Sequence, residues 1–203
     1  MVSLSLRRSI IVATALAILL LVVVVYAYES GVYITPPYDY GFYYESDPND
    51  VDAYVKPSTG YCSISVHADS GETNEGIAGV AETLYFRPET GYNLHVTFRV
   101  RVDGYEEGAS GSGSYSPYIC VYAYDEDTGQ VIIDQCKLSS YCVASGDMLD
   151  CFFSTDIRVI DVLYHDIHIK AYLYLKASGG SWWWQSIDAY MKGTISEVEV
   201  FGS

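Results

Sequence analysis

Two stretches decide the fold, Tyr92–Val102 (YNLHVTFRVRV) and Asp166–Lys176 (DIHIKAYLYLK). In the first, Leu94, Val96, Phe98, Val100 and Val102 alternate with Asn93, His95, Thr97, Arg99 and Arg101. In the second, Ile167, Ile169, Ala171, Leu173 and Leu175 alternate with His168, Lys170, Tyr172, Tyr174 and Lys176. Successive side chains of a strand point to opposite faces, so this pattern predicts strands with one buried face and one wet face. The signal recurs more weakly outward from these anchors. Cys62, Ile64 and Val66 share a face of Tyr61–His67, and further strands are expected in Gly76–Phe86, Ser116–Tyr124, Gln130–Lys137 and Ile157–Val162. In Thr194–Phe201, Ile195, Val198 and Val200 all reach the core only if a bulge sits near Ser196.

Strands of this length, each with one apolar face, bury it by stacking two sheets. The expectation is an all-β chain: an antiparallel, jelly-roll-like β-sandwich of about eight to nine strands behind an N-terminal hydrophobic helix. Residues 1–28 form the leader, 29–50 an extended Tyr/Pro-rich segment and 51–203 the sandwich. The Gly/Ser-rich run Gly104–Pro117 reads as a flexible loop with no part in the core.

The leader opens MVSLSLRRSII, with Arg7 and Arg8 ahead of an uncharged run from Ser9 to Tyr28. As a helix that run spans roughly 30 Å, one hydrocarbon core. The basic flank stays cytoplasmic, so the chain beyond Tyr28 faces outward, secreted or at the cell surface. Residues 1–27 form a signal peptide cleaved after Ala27, or residues 9–28 remain as a transmembrane anchor and make the membrane a partner. The pattern from Arg7 to Tyr28 also resembles an archaeal type IV pilin, which implies processing after Ser9 and a filament built on the apolar helix. Each reading exports the domain.

Beyond the leader, nine Lys and Arg face 26 Asp and Glu, a net charge of −17. A surface of that sign excludes nucleic acid as a partner. The five cysteines, Cys62, Cys120, Cys136, Cys142 and Cys151, include no CxxC, and outside the cytoplasm they read as disulfides. Cys120 and Cys136 flank the turn DEDTGQ and fall nearly opposite each other on a hairpin, while Cys142 and Cys151 bracket VASGDMLD. Cys62 is left over, as a buried thiol or a link between subunits.

The stretch Ala81–Val102 (AETLYFRPETGYNLHVTFRVRV) and the tail AYMKGTISEVEVF resemble secreted jelly-roll modules of the galactose-binding-like and carbohydrate-binding-like kinds. The shared features are a Pro-x-x-Gly-Tyr turn before a long alternating strand and a last strand that returns to the core. The resemblance implies a sandwich and, for such modules, binding of a polysaccharide or surface glycan.

Candidate site residues follow from side-chain chemistry. The wet faces of the two anchor strands hold Arg99, Arg101, His168, Tyr172 and Tyr174. Side by side, those strands make a basic, aromatic patch of the kind that stacks on sugar rings and donates to hydroxyls. Cross-strand ion pairing would use the same arginines without any ligand. Trp182, Trp183 and Trp184 cannot all point one way in an extended chain, so at least one meets solvent or a partner. Asp47, Asn49, Asp50 and Asp52 offer oxygens to a structural Ca2+, as do Asp125, Glu126 and Asp127. His165 and His168, three apart in a strand, fall on opposite faces and do not share a metal. No GxSxG or catalytic cysteine frame occurs, and no carboxylate pair is singled out for glycoside hydrolysis. The sequence therefore favours an exported non-catalytic binding module, most simply for carbohydrate. The alternative is a self-assembling filament or surface subunit joined by strand addition through residues 29–50.

Overall fold

The computed structural model describes residues 32–85, 93–158 and 165–202. The apolar run Ser9–Tyr28, with its expected helix, lies outside them, as does the Pro-x-x-Gly-Tyr turn. Among the described residues no helix is long and apolar enough to cross a membrane.

Twelve strands are described: β1 Val32–Ile34, β2 Tyr40–Glu45, β3 Val51–Lys56, β4 Tyr61–Ala68, β5 Thr73–Tyr85, β6 Asn93–Gly111, β7 Gly113–Asp125, β8 Val131–Leu138, β9 Val143–Ser145, β10 Met148–Arg158, β11 Asp166–Gly179 and β12 Ile187–Gly202. They form two antiparallel sheets. Sheet A runs β3-β4-β12-β6-β10-β9, with β1 also on β12; sheet B runs β2-β5-β11-β7-β8. The chain crosses repeatedly between sheets, which gives the jelly-roll-like connectivity.

The alternating residues meet between the sheets as expected. Val96, Phe98, Val100 and Val102 of β6 face Ile169, Ala171, Leu173 and Leu175 of β11 across a core that also buries Ile64, Ile119, Phe153 and Met191. The bulge expected near Ser196 is present: Ile195 pairs with Val102 and Glu197 with Arg101, leaving Ser196 extra. Ile195, Val198 and Val200 are thereby all buried. On its other side β12 pairs with β4 and then with β1. Between those two strands the Ile195 amide donates to Gly60 O at 2.9 Å, and buried Tyr38 donates its hydroxyl to Ile195 O at 3.0 Å.

Three regions depart from expectation. Gly104–Pro117 is not a loop. It forms the ends of β6 and β7, with only Ser112 between them, and Pro117 is buried. Its glycines and serines need no apolar face, because their backbones pair with β12 and β11. Second, of the strand expected over Ile157–Val162 only Ile157 and Arg158 are among the described residues, as the end of β10, which begins at Met148 and pairs with β6 from Leu149↔Val102. Third, residues 32–45 supply β1 and β2 to the chain's own sheets, so strand addition to a neighbour would first have to displace them.

Both expected disulfides form, Cys120–Cys136 directly across the β7–β8 pair and Cys142–Cys151. Cys62 is a free, fully buried thiol, and burial pushes its pKa up to about 12. Two measurements check this framework. A thiol reagent should label no cysteine in the native protein and one after unfolding without reductant. The double variant Cys120→Ser/Cys136→Ser should lose about 3 kcal/mol of stability in denaturant titration, from loop-closure entropy. In the same assay Tyr38→Phe, which strips the Ile195 carbonyl of its donor, should cost about 1 kcal/mol.

Candidate functional site: a polar groove on sheet A beside an exposed tryptophan loop

The outer face of sheet A can be laid out from strand register. One row reads His67–Asp188–Ser110 across β4, β12 and β6; the next reads Asp52–Ser65–Tyr190–Gly108, starting from β3. Ser65, Gly108 and Ser110 are small, and beside Tyr190 and Asp188 they leave a depression. The turn Pro48–Asp50 stands at its β3 side, and the open groove has a volume of about 540 Å³. Gly108 lets the Tyr190 ring approach closely. A Cβ on it would come within 2.9 Å of the Tyr190 ring, so that ring lies against bare backbone. Tyr190 is 43% exposed and offers an aromatic surface beside hydroxyl and carboxylate groups.

His67 closes one side of the groove. Its Nδ1 is 2.7 Å from Asp188 Oδ1 and its Nε2 is 3.3 Å from Asp69 Oδ1. A neutral imidazole can donate to only one carboxylate and would turn a lone pair toward the other. The Asp188 hydrogen bond foremost raises the His67 pKa above its ordinary value; burial opposes it, and the Asp69 hydrogen bond adds to the rise.

At the same end of the sandwich, the loop from β11 to β12 carries Trp182, Trp183 and Trp184, which are 60%, 84% and 60% exposed. The loop is a tight turn in which Gln185 N donates to Trp182 O at 2.8 Å, and Gln185 Oε1 accepts from Trp182 N at 3.1 Å. Trp182 and Trp184 stack at 5.4 Å, and Trp183 meets Trp184 edge-on at 5.2 Å. Together they form an apolar knob only four residues before Asp188.

The basic, aromatic patch imagined from aligning the two anchor strands does not form, because β6 lies in sheet A and β11 in sheet B. Arg99 and Arg101 sit among Asp150, Glu197 and Glu199. Arg99 reaches Glu199 at 3.0 Å and also pairs with Glu197; Arg101 reaches Asp150 at 3.0 Å. Two guanidinium groups are thus spent on three carboxylates, as the ion-pair alternative required. On the outer face of sheet B, His168 is buried. Its Nε2 is 2.6 Å from Tyr40 Oη, its Nδ1 lies near Thr83 and Glu126, and burial holds its pKa down. Tyr174 stacks on Tyr118 and donates to Glu75 at 2.6 Å, while Tyr172 packs edge-on against Phe42. Gly79 makes that contact possible, since a Cβ there would strike Tyr172 Cβ, the Ala171 carbonyl and the Phe42 ring. These rings are spent largely on one another.

The acidic clusters also sort differently from expectation. Asp47 caps its own turn, its Oδ1 accepting from Asn49 N at 2.9 Å and Asn49 Nδ2 at 3.0 Å, while Asp50 and Asp52 line the groove. Asp47, Asp50 and Asp52 do not converge as three ligands. Among the described residues, the one such convergence is Asp125, Asp127 and His165, with donor atoms within 4.8 Å of one another. Asp125 already accepts from the Asp127 and Thr128 amides and lies 2.6 Å from His165 Nδ1. Burial raises its pKa, but these hydrogen bonds outweigh that and leave it lowered; the same pairing raises that of His165.

The groove residues Ser65, His67, Gly108, Ser110, Asp188 and Tyr190 were missed in sequence. One signal was available: Ile187, Ala189 and Met191 alternate with Asp188, Tyr190 and Lys192 directly before the recognised last strand.

No family model matches the chain, and no curated protein matches its sequence. Solved structures are matched in shape. A family 61 carbohydrate-binding module in complex with β-1,4-galactotriose has a TM-score of 0.29 and 11% identity, over 82% of this chain and 90% of that one. A xylan-binding module of family 15 has a TM-score of 0.28 and 16% identity, over 81% and 98%. The VP2 subviral particle of infectious bursal disease virus is matched at 0.24 and 13%, over 81% and 40%.

The His67 arrangement has a defined pH signature. Its folded pKa lies above the unfolded value, so the interaction stabilises fully below about 6.5 and is lost as pH rises through the folded pKa. The His67 ring signals in an NMR titration should show a midpoint above 6.5, and Asp188→Asn should bring it down.

Proposed function

We propose that this chain is an exported, non-catalytic glycan-binding module whose ligand lies in the sheet A groove. The observation that carries the proposal is the groove itself. It sets the Tyr190 ring beside Ser65, Ser110, Asp52 and His67 on a floor of small side chains. A pyranose needs those two things together, an aromatic surface for its C–H face and hydroxyls or carboxylates for its rim. Trp182, Trp183 and Trp184 extend the contact at the groove's end of the sandwich. Three exposed indoles are costly to leave in water and serve as anchors in recognition surfaces.

The polarity of the domain suits display. Val32 pairs with Val200 near the end of β12, whereas the tryptophan loop precedes its start at Ile187. These points are roughly 40 Å apart at about 3.3 Å per residue. A tether through residues 9–28 would therefore hold the groove on the side away from the membrane.

The test is affinity electrophoresis of the soluble domain through gels containing galactan, xylan, mannan or β-glucan. At least one should retard the protein. Tyr190→Ala should weaken the retained interaction about tenfold, the loss of one ring stack at about 1.4 kcal/mol. The triple change of Trp182, Trp183 and Trp184 to Ala should weaken it at least as much. Both variants alter exposed side chains, so their unfolding midpoints should stay near wild type. Retention untouched by both variants would remove the groove from the account, and free migration in every gel would remove glycan binding.

A further inference from the structure

The charge of the groove narrows its ligand, given the glycan-binding reading. Asp50, Asp52 and Asp188 line it, and Asp69 stands at its rim beside His67. His67 is the one basic side chain in the lining, and it is already divided between Asp69 and Asp188. Neither Asp50 nor Asp52 has an ion-pair partner among the described residues. In the next row outward, Lys192 is occupied by Glu106 at 2.8 Å. Elsewhere on the same sheet carboxylates are matched to guanidinium groups, as Asp150, Glu197 and Glu199 are by Arg99 and Arg101. In the groove, Asp50 and Asp52 have no such guanidinium beside them among the described residues.

We propose that the groove selects a glycan bearing protonated amino groups, a glucosamine-type polymer, and rejects chains carrying uronate or sulfate. An ammonium offers three N–H donors and a positive charge, the complement of Asp50 and Asp52, which only accept. The face of Tyr190 attracts a cation as well as a sugar C–H face. A carboxylated or sulfated chain would bring like charge into a recess that has no free base to receive it, and that repulsion supplies the discrimination. The net charge of the whole chain, −15, acts in the same direction at long range by drawing in polycations and turning away polyanions.

The experiment is isothermal titration of the purified soluble domain with three probes of equal length: a deacetylated glucosamine oligomer, its N-acetylated counterpart and an oligogalacturonate. Near pH 6, where the amines are charged, the deacetylated oligomer should bind at least tenfold tighter than the acetylated one, and oligogalacturonate should not bind. The preference should shrink as salt shortens the screening length to about 3 Å. Asp50→Asn/Asp52→Asn should cut the preference, read as the ratio of the two affinities, to below about threefold, a loss of about 0.7 kcal/mol or more in discrimination. Asp134→Asn/Asp147→Asn makes the same charge change outside the groove and should leave the preference intact. Equal affinity for the acetylated and deacetylated oligomers overturns the amine inference and leaves glycan binding standing. A preference that falls equally in both double variants also overturns it, by assigning the effect to net charge alone. Failure of the deacetylated oligomer to bind overturns it too, and the neutral-polysaccharide gels then decide separately whether the groove takes glycans at all.

Discussion

The pairing of β12 on both of its edges is the constraint on which the rest of the molecule depends. One long strand lies against β6 along its length and against β4 and then β1 on the other side. The bulge at Ser196 keeps Ile195 and Val198 both inward although two residues lie between them, a spacing that would put them on opposite faces of a regular strand. Gly60 and Tyr38 take up the backbone groups at the change of neighbour. With β12 fixed, the positions of Asp188 and Tyr190 on its outer face follow, and so does the groove.

The two outer faces solve the problem of an acidic, tyrosine-rich surface in opposite ways. Sheet B covers itself: its rings stack on one another, and Lys170 lies over Phe42 and Tyr122. On sheet A the half around Arg99 and Arg101 neutralises itself through ion pairs. The other half, towards the tryptophan loop, sets the unpaired Asp50 and Asp52 beside Tyr190, and there the surface is concave. A recognition site is expected where both conditions meet, because a ligand gains most from groups that the protein has not already satisfied.

Much of the fold was legible locally. The two alternating stretches gave the burial of their strands, the spacing of Ile195, Val198 and Val200 required the bulge, and the hairpin placed Cys120 opposite Cys136. Gly104–Pro117 was not legible. Its composition describes a chain with little to bury, and its strand character comes from backbone pairing with β11 and β12, partners more than fifty residues away. The site was legible only in part. The exposure of the tryptophans followed from three bulky neighbours in a row, whereas the groove draws one or two residues from each of four strands.

By itself, then, the sequence determined which side chains share a face, because a strand's period of two is a local property of the backbone. It also determined the acidic charge, since composition does not depend on packing. Only the tertiary structure decided which strands became neighbours. That choice set Arg99 and Arg101 among three carboxylates, turned His168 into a buried hydrogen-bonding partner of Tyr40, and left Asp50, Asp52 and Tyr190 facing open space. Sheet order is settled by the packing of two whole faces against each other, and no single strand carries that information.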